Sequence, residues 1–260
     1  MDNDKNSEMQ GKVTRANVDF YAEYAKKYEV IEESVFCEEN TSRVHDLIKG
    51  FSEKYGNDKL LDVGCGTGNI LRFAIKYFKH VTGFDVSQEM LEISKKYTNN
   101  LVLGDATNLP FADNSFNVVT SYSVLHHLYD PLPVIKEMYR VCKKGGIVYT
   151  DNDPNGFYEK RFKWYKDLRK KFYKKRMDKY TTEGDELTKK KMLAEYHHYY
   201  TQGLDTMSIK KMFENVGFQD VKLIYRFHPR PNLFAKVTKV LLFLEKPERK
   251  CPFIMIIARK

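Results

Sequence analysis

Three groups of residues have types and spacings that suit chemistry. Gly64, Gly66 and Gly68 alternate within Leu61-Asp-Val-Gly-Cys-Gly-Thr-Gly68. Carboxylates close two later apolar runs: Asp85 after Val81-Thr-Gly-Phe, and Asp105 after Leu101-Val-Leu-Gly. A histidine pair, His126 and His127, follows a fourth apolar run. Glycine is required where the backbone takes unusual angles or meets a ligand closely. A helix opening from such a turn presents unpaired N–H groups and a partial positive charge, which suit a carboxylate or phosphate. An acid at a strand end, 21 residues beyond Gly64, can accept bonds from both hydroxyls of a ribose. Together these residues point to a nucleoside-bearing ligand, against the plainer reading of an ordinary strand-to-helix turn. The dinucleotide fingerprint G-x-G-x-x-G is not met, because the third glycine comes one residue early and Asn69 stands where that motif wants glycine. This spacing disfavours a nicotinamide dehydrogenase.

The elements that position these residues follow from apolar periodicity. Strands are expected over 60–63, 80–85, 101–105, 116–122, 147–150, 221–227 and 253–258. Helices are expected over 17–28, 38–55, 69–78, 88–97, 130–142, 185–200 and 206–216. Ser87 is a candidate N-cap, as is Asp205 or Thr206. Alternation of strand and helix argues for an α/β fold with a doubly wound, mostly parallel sheet and ligands at the carboxyl ends of its strands.

The blocks Leu61–Gly68, Asp85-Val-Ser87, Gly104-Asp-Ala106, Leu109-Pro-Phe111, Ser115-Phe116, Leu125-His-His127 and Arg140-Val141 with Gly145-Gly146 resemble the class I S-adenosylmethionine-dependent methyltransferases. The resemblance runs from about Val18 to Lys144 and is closest to the small-molecule branch that includes quinone-biosynthesis enzymes. It implies a Rossmann-like sheet of seven strands closed by an antiparallel C-terminal hairpin, with S-adenosylmethionine as cofactor and S-adenosylhomocysteine as product. It also implies residue roles. Gly64, Cys65 and Gly66 would give backbone contacts to the amino-acid part, with Asp62 organising the turn. Asp85 would hold the ribose, Val86 would pack on adenine, and Asp105 and the Ala106 N–H would read the adenine edge. The Ser121 backbone would lie beside the methionine amine. Tyr21, Ala25 and Tyr28 match an N-terminal pattern that folds over the methionine end, where tyrosine faces suit a sulfonium cation. His126 is the candidate catalytic residue, although such a pair also occurs in this branch without a catalytic role. Asn117 departs from the aspartate usual after Phe116.

The chain of 260 residues is long enough for one large domain with a cap, and carries net charge +9. The expected organisation is a disordered tail over 1–15, a helical lid over 16–56, a cofactor-binding core over 57–153, a helical cap insertion over 154–203, and the rest of the core over 204–260 with an insertion at 229–252. The segment 154–192 holds fourteen Lys or Arg against six Asp or Glu, a balance of +8. Tyr158, Phe162, Tyr165, Leu168 and Phe172 form one stripe in it. A solvated cap is the plain reading; an anionic membrane surface, an acidic acceptor or RNA are the functional ones. Four scattered cysteines fit reduced thiols without a metal site, and the polar N-terminus does not read as a signal peptide. The expectation is a cytoplasmic methyltransferase acting on a small-molecule or lipid-like acceptor, with a peripheral contact to an anionic membrane as an addition. RNA methylation and non-catalytic cofactor binding are the alternatives.

Overall fold

The computed structural model describes residues 2–31, 33–164, 185–201, 203–227 and 246–260. Seven strands form one sheet: β1 Lys59–Val63, β2 His80–Asp85, β3 Leu101–Leu103, β4 Phe116–Tyr122, β5 Cys142–Pro154, β6 Gln219–Arg226 and β7 Phe253–Arg259. Their order is β3-β2-β1-β4-β5-β7-β6. The first five run parallel, and β7 lies antiparallel between β5 and β6. This is the expected Rossmann-like sheet with an antiparallel C-terminal pair.

Strand periodicity divides the core between the two faces. Leu61, Val63, Val119 and Val148 point to one side, where they meet Val134, Ile135 and Met138 of a helix over Leu132–Val141. Leu60, Val118, Ile147 and Tyr149 point to the other, against Val44, Ile48 and Phe51 of a helix over Glu38–Tyr55. Strands buried on both faces read as nearly unbroken apolar runs, which is why β1 and β4 were legible. Ser87 caps the helix Gln88–Ser94 by accepting from the Met90 N–H, and Asp205 caps Thr206–Val216 by accepting from the Met207 and Ser208 N–H groups.

Several expectations need correction. Residues 1–15 were expected to be disordered, but one helix, α1, spans Asp2–Tyr24. Its anchor is the buried series Val13, Ala16 and Phe20, at helical spacing. The polar composition of the first eleven residues hides that stripe. The helix expected over 185–200 is two, Asp185–Ala194 and Tyr196–Tyr199, broken at Glu195. Of the aromatic stripe in the basic segment, Tyr158 and Phe162 are buried and in mutual contact. Tyr165, Leu168 and Phe172 lie outside the described residues, as does Val240–Leu244. No helix among the described residues is long and apolar enough to cross a membrane.

Candidate active site

The carboxyl ends of β1 to β4 open into a cavity of about 790 Å³, mouth included. Small-molecule sites span roughly 300–1,000 Å³. Of the residues expected at a cofactor, Tyr21, Tyr28, Gly64, Gly66, Asp85, Val86, Asp105 and Ala106 line it. Asp62 and Cys65 instead line a smaller recess that shares Tyr28, Gly64, Gly66 and Tyr122 with the main cavity. Ser121 lines neither. Its side chain is fully buried, and the next residues, Tyr122, Ser123 and Val124, form the wall.

The glycine turn is shaped by its neighbours. A Cβ on Gly64 would come within 2.4 Å of Val124, at a φ of +69° that disfavours side chains. A Cβ on Gly66, φ +51°, would meet no protein atom within 4 Å. The turn's N–H groups are already used. Gly64 and Cys65 both donate to the Phe84 carbonyl, at 2.7 and 3.0 Å, and Gly66 donates to Asp85 Oδ2 at 2.7 Å. The helix that follows is a single turn, Leu71–Ala74, starting later than expected. In the recess, Thr67 Oγ1 and Asn69 Nδ2 are buried without a partner. Buried polar groups are ordinarily satisfied, so two orphans beside a buried carboxyl mark space shaped for a polar ligand group. Asp62 accepts from Thr120 Oγ1 at 2.7 Å, and burial pushes its carboxyl up to about 8.

Asp85 is buried, and its second oxygen accepts from the Ser87 N–H at 2.9 Å. Burial raises its pKa, while the Ser87, Gly66 and Val86 backbone bonds oppose that shift. Asp105 accepts from the Thr107 N–H at 2.9 Å and from Thr14 Oγ1 at 3.4 Å.

Thr14 belongs to α1, which crosses the cavity. Gln10 accepts from the Asp130 N–H, and Asn17 Nδ2 donates to the His127 carbonyl at 3.1 Å. The Tyr21 hydroxyl lies 3.1 Å from His127 Nε2. Residues 10, 14, 17 and 21 recur at three- and four-residue steps, so one helical face is polar and bonded to the rim while the Val13–Ala16–Phe20 face packs inward. The side chains of Thr14, Asn17, Thr67 and Asn69 escaped sequence reasoning, which weighed the N-terminal helix for apolar spacing and a tyrosine pattern and the turn for its glycines.

The histidine pair is divided. His126, the expected catalytic residue, is buried away from both cavities. Its Nδ1 lies 2.9 Å from Asp153 Oδ1, which also accepts the His126 N–H at 3.1 Å. Burial and the neighbouring His197 hold its pKa down to about 3. His127 lines the main cavity, and its Nδ1 is 2.8 Å from the Ala194 carbonyl. A carbonyl only accepts, so Nδ1 carries the proton; in the neutral ring Nε2 is then the acceptor and Tyr21 the donor. Among the described residues, no group of His, Cys, Asp and Glu could hold a metal ion, and the four cysteines are free and buried.

The family model "methyltransferase domain" matches residues 61–150. A demethylmenaquinone methyltransferase of Staphylococcus haemolyticus is 33% identical over 208 residues, which cover 76% of this chain and 84% of that protein. The chain belongs to the class I S-adenosylmethionine-dependent methyltransferases. The demethylmenaquinone methyltransferase of Staphylococcus saprophyticus is 30% identical over 79% of the methyltransferase described here and 88% of its own length. A Thermotoga maritima SAM-dependent methyltransferase superposes with a TM-score of 0.58 at 17% identity, covering 94% of this chain and 99% of its own, a likeness of fold. The methyl donor of this methyltransferase is S-adenosylmethionine, whose sulfonium supplies an already activated methyl group. The residues present fit such a group. Two strand-end carboxylates line the main cavity, open space lies over Gly66, and unpartnered polar atoms sit in the adjoining recess.

Proposed function

We propose that this methyltransferase methylates a small, lipid-soluble acceptor of the quinone class in its reduced, hydroxyl-bearing form. The supporting observation is the match to demethylmenaquinone methyltransferases along most of their length. In this reading Asp85 receives the ribose hydroxyls, while Asp105 and Ala106 receive the adenine edge and Val86 its face. Asp62, Thr67 and Asn69 hold the charged amino-acid end, helped by the carbonyls of Gly64 and Cys65. The wall contact expected of Ser121 passes to Tyr122 and Ser123. Tyr21 and Tyr28 cover the sulfonium with aromatic faces, an arrangement that favours a cation. Transfer needs the acceptor's electron pair in line with the methyl–sulfur bond at about 3 Å, with water excluded, and α1 is placed to exclude it.

The basic segment serves the same acceptor by resting on the anionic membrane in which it dissolves. Phe157 and Trp164 are exposed beside Lys160, Arg161 and Lys163, an apolar and basic edge suited to a headgroup layer. The test is a methyl-transfer screen with labelled cofactor against reduced demethylated naphthoquinone in detergent, a lipid extract and RNA. Label is expected in the naphthoquinone fraction. Label confined to RNA or to lipid headgroups would overturn the reading.

A further inference from the structure

We propose that Tyr122 and Asn69 read the carboxylate of the methyl donor, each backed by an arginine that does not itself line the recess, and that this pair makes the protein select donors carrying a free carboxylate. The inference rests on the reading in which the amino-acid end of the cofactor enters the recess, and it is independent of the acceptor class.

The recess measures about 300 Å³, mouth included, and among the described residues its lining holds one acid, Asp62, and no Lys or Arg. An amino-acid end brings an ammonium and a carboxylate. Asp62 suits the ammonium. The carboxylate needs donors, because a buried anion without them is costly.

Two side chains supply them, and their neighbours fix which way each faces. Arg72 donates from Nη2 to Asn69 Oδ1 at 2.7 Å and from Nε to the Asn69 carbonyl at 3.2 Å. A guanidinium only donates, so the amide oxygen faces Arg72 and Nδ2 turns away from it. Asn69 is 9% exposed, and its Nδ2 is buried without a partner. Asn69 is also the residue that stands where the dinucleotide fingerprint wants glycine, so the departure from that motif supplies the contact. The same logic orders Asn40. Its Oδ1 accepts from Arg43 Nη2 at 2.8 Å, so its Nδ2 donates to the Val35 carbonyl and to the Tyr122 hydroxyl, both at 2.7 Å. The Tyr122 oxygen is therefore an acceptor, and its own proton meets no acceptor among the described residues. Val35 and Tyr122 both line the recess, which places the hydroxyl end of Tyr122 at its wall. Burial, and then Asp151, push that hydroxyl up to about 12, so it keeps its proton and donates.

The charge behind these donors is positive. Asp151 is fully buried and pairs with Arg43 at 2.7 Å and with Arg226 at 2.6 Å, so that cluster sets two guanidiniums against one carboxylate. Arg43, Asn40 and Tyr122 make a chain of donors running towards the recess, and such chains polarise each bond in them. Arg72 lies over the rings of Phe73 at 4.6 Å and Phe36 at 5.4 Å, which hold it in place behind Asn69. The setback matters. An arginine inside the recess would pair with Asp62 before any ligand arrived. Behind a neutral polar residue it favours an anion and leaves Asp62 to the ammonium. Arg43 and Arg72 are thus positioning residues, and Tyr122 and Asn69 make the contact.

Calorimetry on the full chain tests this with two pairs of probes. S-adenosylmethionine and its decarboxylated analogue differ by the carboxylate alone; S-adenosylhomocysteine and 5′-methylthioadenosine differ by the whole amino-acid end. In the wild type, loss of the carboxylate should weaken binding by at least about tenfold, the value of a hydrogen bond to a charged group. Tyr122→Phe and Asn69→Asp should each weaken S-adenosylmethionine by about tenfold and lose no more than about threefold on the decarboxylated analogue, whose binding also shows that the variants are folded. Arg43→Met leaves Asp151 paired with Arg226, and Arg72→Met leaves Asn69 in place; each should cut the preference for the carboxylate by about threefold or more. A merely structural role would weaken both ligands alike. A wild type without the preference, or a preference unchanged in Tyr122→Phe and Asn69→Asp, overturns the proposal. If 5′-methylthioadenosine binds as tightly as S-adenosylhomocysteine, the placement of the amino-acid end in the recess fails, and the proposal with it. None of these measurements involves the acceptor, so they decide the matter whether or not it is a quinone.

Discussion

Asp62 offers a test in which one buried carboxyl controls the pH dependence of folding. Its carboxyl is 1% exposed, held by Thr120 at 2.7 Å, and its pKa is raised from 3.8 to about 8, chiefly by burial and further by Asp85. An acid whose pKa is higher in the folded than in the unfolded chain binds its proton more tightly when folded. Its contribution to stability is therefore full below about pH 4 and is lost as the pH rises towards 8. Each unit in that window is worth about 1.4 kcal/mol, so the whole span is on the order of 5 kcal/mol. Asp62→Asn keeps the size and an acceptor for Thr120 but cannot ionise. Urea unfolding of both proteins without cofactor at pH 5, 7 and 9 reads the difference. At pH 5, about one unit into that window, the variant should differ from the wild type by no more than about 1–2 kcal/mol, one unit of linkage and one altered hydrogen bond. At pH 9 it should be the more stable by several kcal/mol, because the wild type then carries a charge in the core. Parallel profiles across this range would show that Asp62 ionises at an ordinary pH in spite of its burial.

Three further outcomes are expected. Asp85→Asn should weaken S-adenosylhomocysteine binding by about 1–3 kcal/mol by calorimetry, since ribose hydroxyls lose a charged acceptor; an unchanged dissociation constant would remove Asp85 from the site. Deleting residues 1–30 should leave a cooperatively folding sheet by circular dichroism but weaken cofactor binding sharply, because the bonds from Thr14, Asn17 and Tyr21 to the rim are lost; normal binding would reduce α1 to a packing element. The full chain should float with anionic vesicles at low salt and be released as salt shortens the Debye length to about 10 Å at 0.1 M, and charge reversal at Lys170, Lys171, Lys174 and Lys175 should abolish flotation without changing cofactor affinity. Failure to float at low salt would leave the basic segment as a solvated cap.

What the sequence made legible, and what it hid, divides along one physical line. The sheet was readable because each central strand is buried on both faces and carries its own apolar run, and because the glycine turn and strand-end acids are local to those strands. Asp85 follows Phe84, whose carbonyl accepts the turn's N–H groups, so spacing along the chain and proximity in space coincide there. Helix α1 obeys a different rule. Thr14 meets Asp105, Asn17 meets the His127 carbonyl and Tyr21 meets the His127 ring, each across about a hundred residues of sequence. No periodicity within α1 encodes such partners; a polar face at helical spacing reads as solvent-exposed until the rim opposite it is known. The same limit explains the histidines. His126 and His127 are neighbours with equal claims in the sequence, and the turn at Leu125–His127 separates them. It points one ring into the core, with Nδ1 2.9 Å from Asp153 Oδ1. It points the other at the cavity, where its two ring nitrogens meet the Ala194 carbonyl and the Tyr21 hydroxyl. A side chain's chemistry here is set less by its type than by which direction one tight turn sends it.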